Sequence, residues 1–272
     1  MGAQEARYRP DHPRMTVATP RPATTVCVLR EVAGGVEVLM VQRSASATFM
    51  GGAWVFPGGG VEAQDASTNA ARVVRGVGAG ELPWVAAGLR ELVEEVGLWI
   101  TEEPFVRRVE PGGRGVYRDA EQTGVVLEGG SAVLFSHWVT PPEVPVRFDT
   151  RFYAVLAPRG LDPVPDRAEV AAAAWMCPRR VLRAAQRGEM LVAFPTVRTL
   201  EVLAEPAPPA DLLRHLASAG AVEPVLPRMW IAESGTVAFV APVRHWFDEL
   251  PAVVGDEESA RSLTRPVPEA PG

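Results

Sequence analysis

Lysine is absent from this 272-residue chain, so all 27 of its basic residues are arginine. We attribute this to base-composition bias in the genome rather than to chemistry. Together with 33 acidic residues they give a formal net charge of −6. That charge argues against a general nucleic-acid-binding protein, which usually carries a basic field. It is compatible with a site that gathers carboxylates around a cation.

Cysteine and histidine are scarce, which bears on the kinds of site that the chain can build. Cys27 and Cys177 each lie in an apolar run, and no Cys-x-x-Cys or Cys/His ligand spacing occurs. We therefore predict buried free thiols rather than a zinc site or a disulfide framework. The four histidines are scattered along the chain, which argues against a Ser-His-Asp or zinc hydrolase.

Long apolar runs are also lacking. No segment approaches the ~20 apolar residues that span a bilayer, and residues 1–22 are polar and rich in proline and arginine. We therefore expect a soluble cytoplasmic protein that binds no membrane. The apolar content of 47% is sufficient for a packed core.

Strand and helix patterns alternate irregularly along the chain, which favours an α+β sandwich over a helical bundle. We predict strands at residues 23–29, 36–43, 54–56, 134–140 and 150–157, and helices at 84–96, 178–188, 196–204 and 210–219. Residues 168–174 are ambiguous. Residues 66–83 are small, polar and glycine-containing, so we interpret them mainly as an inserted loop, with at most one helical turn, outside the catalytic core. Residues 111–130 are predicted to form another loop.

The helix predicted at residues 84–96 carries the most informative pattern. Glu91, Glu94 and Glu95 are three and four residues apart, so they share one side of the helix, opposite an apolar stripe. Arg90 can pair with Glu94 but cannot neutralise three acids. Crowded carboxylates invite a hard divalent cation with oxygen ligands. An ordinary solvated charged face is the alternative for such a run. The glycine-rich segment at residues 58–60 and the helix-ending Gly97 favour a site.

These residues resemble the Nudix box, which begins with Gly, has an acid six residues later and ends in Arg-Glu-x-x-Glu-Glu-x-Gly-apolar. Gly59 stands at its start, Asp65 replaces the usual Glu, and residues 90–98 match the end. The spacer at residues 66–89 has 24 residues where the common box has seven. A long loop insertion has a small thermodynamic cost, so the box can still close.

The resemblance implies a Nudix fold, with a mixed sheet between helices and extra C-terminal helices. It implies a flexible arm at residues 1–19, a Nudix hydrolase domain at 20–205 and a C-terminal helical extension with a loose tail at 206–272. One branch of the family carries such an insertion in its box and includes the mammalian peroxisomal coenzyme A diphosphatase. This chain is similar to that branch over residues 23–203. Coenzyme A or an acyl derivative is therefore the leading substrate. Where a motif of coenzyme A hydrolases has Arg, this chain has Thr48, so ADP-ribose, NADH and capped RNA stay open.

The same resemblance implies roles for particular residues. The Gly58 carbonyl, Glu94 and Glu95 would hold Mg²⁺ or Mn²⁺, and Glu91 would either ligate the ion or orient water. Arg90 would keep the acids in place. Glu169 resembles the further acid that Nudix enzymes supply from a late loop; an ordinary loop acid is the alternative. The candidates for substrate binding are Arg43, Trp54, Arg147 and Arg151. For Trp54 a core position is the favoured alternative. For Arg147 and Arg151 the favoured alternative is an ion pair of Asp149 with one arginine that fixes a turn. A homodimer is left open, and a non-catalytic Nudix-like module is disfavoured because all three glutamates are present.

Overall fold

The computed structural model describes residues 18–33, 35–47, 50–102, 115–142, 146–157, 160, 162–231 and 237–240. The helices are α1 (Thr68–Val73), α2 (Leu82–Val96), α3 (Val116–Thr123), α4 (Pro178–Gln186), α5 (Phe194–Leu203) and α6 (Pro209–Ser218). The strands are β1 (Arg21–Val32), β2 (Gly35–Arg43), β3 (Trp54–Val55), β4 (Gly58–Gly60), β5 (Val74–Arg75), β6 (Leu127–Glu128), β7 (Val133–Val139), β8 (Phe148–Leu156), β9 (Val170–Met176), β10 (Arg228–Ile231) and β11 (Val237–Val240).

Two compact units divide the chain. The larger comprises residues 21–137 and 150–223, and the smaller comprises residues 1–20, 138–149 and 224–272. In the smaller unit β10 and β11 pair antiparallel, although we had predicted only helices and a loose tail after residue 205. Residues 1–17 of the arm expected at residues 1–19 lie outside the described residues, as does the part of the expected tail after residue 240.

A seven-stranded sheet, counted over the described residues, forms the centre of the fold in the order β3-β2-β1-β8-β7, with β4 on β1 and β9 on β2. Strand β1 is buried on both faces, as expected of a central strand. Val26 and Val28 join the core beneath α2, whereas Cys27 and Leu29 are equally buried but lie outside that cluster. Helices α4 and α6 contact β2 and β1. The predicted α+β arrangement of a sheet with helices packed on it is confirmed.

Helix α2 follows its predicted pattern. Leu89, Leu92, Val93 and Val96 are almost fully buried in the core, and Gly97 ends the helix in the left-handed conformation at φ 67°. This closing glycine was expected from the sequence. Gly88 permits close packing, because a Cβ there would lie 2.6 Å from the Val26 side chain. Helix α2 therefore packs closely against β1 at this position.

The prediction for residues 66–83 was wrong. Ser67 caps α1 by accepting a hydrogen bond from the Ala70 amide, and β5 then pairs parallel with β6. Ala70, Val73 and Val74 are buried in the same core as α2. The apolar residues of this segment are too few to show a period, and their partners are distant in sequence. The inserted segment therefore contributes residues to the core, although most of its side chains are exposed.

The loop predicted at residues 111–130 was also wrong in its described part, because residues 116–123 form α3, which ends at Gly124 with φ 70°. The ambiguous segment after residue 168 is strand β9, which pairs with β2. Cys27 is buried and Cys177 is half-buried, and both are free thiols, so burial is confirmed only for Cys27. Within the described part of the chain, no helix has the length and apolarity to cross a bilayer.

Candidate active site

Helix α2 places Glu91, Glu94 and Glu95 beside one another in its last two turns. Glu95 is 8% exposed, while the side chains of Glu91 and Glu94 are 12% and 16% exposed. A solvated charged face would leave these side chains in water. Their burial instead requires partners for each carboxylate.

Arg90 supplies the main positive charge of the site and is itself 3% exposed. Its Nη1 group donates to Glu91 and Glu94, each at 2.8 Å. Its Nε donates to Asp65 at 2.9 Å, and its Nη2 donates to Asp65 at 3.2 Å and to the Gly60 carbonyl at 2.9 Å. All five guanidinium N–H groups are thus used. The orientation of Arg90 is therefore fixed, and it holds two of the three glutamates.

Asp65, whose role was open at the level of sequence, is fully buried. Its Oδ1 accepts hydrogen bonds from Arg90 and, at 2.5 Å, from the Tyr117 hydroxyl. Its Oδ2 accepts from Arg90 and, at 2.7 Å, from the Glu62 amide. Burial, together with Asp65, raises the pKa of Tyr117, so its hydroxyl keeps its proton and remains a donor. The shorter Asp therefore fills the first acid position of the box.

The glycine-rich strand β4 lies directly against the acids. It pairs with β1, and the Gly58 amide donates to the Glu95 carboxylate at 3.2 Å. A Cβ on Gly59 would lie 2.6 Å from the Glu91 carboxyl carbon. Gly58 has φ 155°, and a Cβ there would collide with the Thr24 carbonyl. Both positions need glycine because the backbone approaches its neighbours this closely.

Glu169 precedes β9 on a loop that is fastened to the end of α2. The Asp166 amide donates to the Glu95 carbonyl at 2.9 Å, and the Asp166 carboxylate accepts from the Glu169 amide. The Glu169 carbonyl accepts from the Ser44 amide at 2.9 Å. The negative charge of Glu169 raises the pKa values of Glu91 and Glu95. Glu169 thus lies close enough to Glu91 and Glu95 to act on them electrostatically, and its role as the late acid stays a prediction.

The positive charges near Glu91, Glu94 and Glu95 do not fully compensate the negative charge of these three carboxylates. Burial raises the pKa of Glu91 to about 7, and Glu94 adds to this effect against the opposing charge of Arg90. Burial also raises the pKa of Glu94. It raises that of Glu95 well above its usual range, with Glu91 and Glu169 contributing and the Gly58 amide and Arg43 opposing. A bound cation would remove this penalty.

The donor set fits a divalent cation in its chemistry. Only one oxygen each of Glu91, Glu94 and Glu95 takes part in a hydrogen bond within the described part of the chain. A second hard oxygen of each is left, the donor type that Mg²⁺ and Mn²⁺ prefer. Among the described residues, no three acidic, histidine or cysteine side chains already surround one point. The bonds to Arg90 and to the Gly58 amide hold the glutamates in a different arrangement.

Two candidates for substrate binding lie on neighbouring strands. Arg43 ends β2, and its charge acts on Glu95, so it lies near the acids. Trp54 is half-buried in β3, which pairs with β2 at Gln42. Its backbone amide donates to the Leu191 carbonyl at 2.9 Å. The half-burial of Trp54 is compatible with either a packing or a stacking role.

Arg151 of β8 is engaged by other side chains. Its Nη1 donates to Glu81 at 2.7 Å, and its guanidinium lies 4.1 Å from the ring centre of Trp84. Tyr153 donates to the same Glu81 carboxylate at 2.6 Å. The sequence had not predicted that Glu81 would bind Arg151 and Tyr153. An acid just before the proline-containing first turn of α2 is the one local signal for Glu81.

Arg147 belongs to the smaller unit and is buried there. Its Nε donates to the Thr140 carbonyl at 2.9 Å and its Nη1 to the Ala18 carbonyl at 2.8 Å. These bonds fasten two segments of that unit. The predicted grip of Arg147 on a phosphate stays a prediction.

Comparisons with known proteins agree with this geometry. A family model described as the NUDIX domain matches residues 19–195. A NUDIX hydrolase from Alicyclobacillus acidocaldarius is 29% identical, with a TM-score of 0.63, over 76% of this chain and 100% of that chain. A MutT NUDIX hydrolase from Burkholderia pseudomallei is 16% identical, with a TM-score of 0.40, over 68% and 98% of the two chains. The NUDIX domain of Shewanella oneidensis NrtR, complexed with ADP ribose, is 14% identical, with a TM-score of 0.41, over 70% and 90%. No curated protein matches the chain.

The family model covers well over half of the chain and includes the box residues from Gly59 to Leu98. The similar Alicyclobacillus enzyme is matched along its entire length. The sheet with its packed helices agrees with that match. The chain therefore belongs to the Nudix family, with the Nudix fold, and it is a hydrolase that acts on diphosphate bonds.

Proposed function

We propose that this Nudix hydrolase cleaves the diphosphate linkage of a nucleoside diphosphate derivative and requires Mg²⁺ or Mn²⁺. The observation that carries the proposal is the set of buried glutamates on α2, whose pKa values are all raised. Buried carboxylates in excess of their arginine partners are costly unless a cation joins them. Nudix hydrolases generally use divalent metal ions, which agrees with this chemistry.

The ligands that we propose are the second oxygens of Glu91, Glu94 and Glu95, together with the Gly58 carbonyl. When bound, the cation neutralises the diphosphate and makes water more acidic. The Nη1 group of Arg90 binds the carboxylates of Glu91 and Glu94 and so holds these two groups close to each other. Each glutamate would then need only a small rearrangement to serve a cation.

The acidic residues also include the general base that deprotonates the attacking water. One carboxylate of the group accepts the proton as the water oxygen bonds to one phosphorus and the bridging P–O bond breaks, with the electron pair of that bond going to the leaving phosphate. Glu169 is close enough to act electrostatically on Glu91 and Glu95. We propose that it serves the cluster as a further ligand or as this base. The positive charge of Arg43 near Glu95 is suited to an anionic phosphate.

We propose coenzyme A or an acyl derivative as the substrate, on the strength of the resemblance over residues 23–203 to the branch with the inserted box. Trp54 offers a ring for an adenine base, and Arg43 offers a guanidinium group for a phosphate. Arg151 would have to leave Glu81 to join them.

A hydrolysis panel tests the proposal. Coenzyme A, ADP-ribose, NADH and capped RNA are each incubated with Mg²⁺, with Mn²⁺ or with EDTA, and the products are separated. Coenzyme A should yield phosphopantetheine and adenosine bisphosphate only when metal is present. Equal rates in EDTA would refute the metal requirement. If only another compound of the panel is hydrolysed, that compound replaces coenzyme A as the proposed substrate. If a compound binds but none is hydrolysed, the protein is a regulatory module.

A further inference from the structure

Tyr117 makes a contact to the box that the proposed chemistry does not use. It lies in the first turn of α3, is 5% exposed, and donates to the buried Asp65 at 2.5 Å. Helix α3 is outside the box in sequence. Tyr117 therefore connects a separate element to the residues that hold the glutamates.

The hydroxyl completes the hydrogen bonding of Asp65. A carboxylate has about four acceptor sites, and Asp65 fills them with Arg90 Nε, Arg90 Nη2, the Glu62 amide and Tyr117. Without the hydroxyl, one buried acceptor site loses its donor. A buried, incompletely bonded carboxylate is free to shift toward its other donors.

A shift of Asp65 would reach the glutamates through Arg90. Asp65 takes the Nε edge and one Nη2 hydrogen of the guanidinium, while the Nη1 hydrogens hold Glu91 and Glu94. The guanidinium is planar and rigid, so a rotation at its Nε edge also moves Nη1. The position of the two carboxylates therefore depends on how Asp65 is held.

The inserted segment supports the helix that carries Tyr117. Ala70 and Val73 of α1 share one buried core with Val116 and Ala120 of α3, and α1 and α3 contact one another. At the surface an ion pair of 3.2 Å joins Arg72 to Glu121. The insertion thus gives α3 a packing partner beside the box.

We propose that Tyr117 is a positioning residue, which acts through Asp65 and Arg90 on Glu91 and Glu94, and that the inserted helix α1 serves to hold it there. This inference rests on the proposed metal site, since those two glutamates are its ligands. On this proposal, the inserted segment helps to order the metal site and does not bind the substrate directly.

The test compares Tyr117→Phe with a matched control, Tyr153→Phe. Tyr153 is equally buried and donates to another carboxylate, Glu81, at 2.6 Å. Tyr117→Phe should lower the melting temperature more than Tyr153→Phe, because Asp65 is fully buried whereas the Glu81 side chain is 46% exposed and can bind water instead. Tyr117→Phe alone should weaken Mn²⁺ binding to the substrate-free protein by up to about tenfold. Losing a direct partner of a ligand usually costs at least that much, and Tyr117 acts through two further residues. It should also lower kcat with little change in KM.

The outcomes separate the two proposals. If the wild type binds no Mn²⁺ by calorimetry, the proposed metal site fails and this inference fails with it. If the wild type binds Mn²⁺ and Tyr117→Phe binds it as well as Tyr153→Phe does, only the positioning role is refuted.

A second pair of variants applies if Tyr117→Phe does not fold. Val73→Ala loosens α1 but keeps the hydroxyl, and Val181→Ala removes the same atoms from a buried position of α4. Val73→Ala should weaken Mn²⁺ binding several-fold, and Val181→Ala should leave it within about twofold of the wild type. Equal affinities in this pair would overturn the proposal.

Discussion

Replacing Glu91 with glutamine should make the metal-free protein more stable while it removes activity. Burial raises the pKa of Glu91 from 4.5 to about 7. Each pKa unit corresponds to about 1.4 kcal/mol, so ionising this carboxylate at pH 8 costs the folded state on the order of 3 kcal/mol. Glutamine has nearly the same size, carries no charge, and can still accept the Arg90 hydrogen bond through its amide oxygen.

The pH dependence of this effect has a definite sign. Since the folded pKa of Glu91 is raised, its protonation favours the folded state below pH ~4.5, and that contribution disappears as the pH rises through about 7. Glu91→Gln should therefore melt roughly 5–10 °C above the wild type at pH 8 in EDTA, by the usual scaling for a domain of this size. The difference should shrink toward zero near pH 5.

The assay is a thermal melt at pH 8 and pH 5 in EDTA, beside steady-state kinetics with Mn²⁺. Turnover should fall about a thousandfold, because a lost metal ligand removes several kcal/mol from the transition state. Glu189→Gln is the control, since Glu189 is an exposed acid paired with Arg187 and should change neither turnover nor metal binding. A Glu91→Gln protein that is less stable at pH 8, or that keeps near-normal turnover, would refute this reasoning.

Three other predictions follow from the same site. Glu94→Gln and Glu95→Gln should each lower kcat roughly a thousandfold or more with the fold retained, as measured by kinetics beside melts; a change within about twofold in both would indicate a solvated face instead. Gly59→Ala should weaken Mn²⁺ binding in calorimetry, because its Cβ would lie 2.6 Å from the Glu91 carboxyl carbon and displace it; unchanged affinity would contradict the close approach. Mn²⁺ binding to the wild type should release protons near pH 7 and weaken as the pH falls from 8 to 6, by about tenfold per unit for each proton released; a flat affinity profile would show that Glu91 is not a ligand.

Local sequence determined the helix that carries the acids. The spacing of the apolar residues in α2 fixes which side is buried, so Glu91, Glu94 and Glu95 must share the other side. Gly97 ended the helix where expected, since a left-handed closing residue favours glycine. These features depend on residues within one or two turns of each other. For that reason a single sequence was sufficient to predict them.

The short elements around the box could not be predicted in this way. Helix α1 has six residues and α3 has eight, too few for a clear period. Strand β5 has two residues and pairs with β6 more than 50 positions later. Such elements are stabilised by tertiary packing rather than by their own propensity. The inserted segment therefore looked like a loop although Ala70, Val73 and Val74 are buried in the core.

The partners of the charged residues were likewise decided by tertiary structure alone. The pairing of Arg151 with Glu81 joins residues 70 positions apart, and that of Tyr117 with Asp65 joins residues 52 apart. No spacing rule connects such residues, because their contact depends on how helices and strands pack. The sequence thus determined which acids gather on α2, through the helical repeat. Only the folded chain decided that Asp65 and Tyr117 hold Arg90 beside them, because a buried charge takes whichever donors the packing brings within reach.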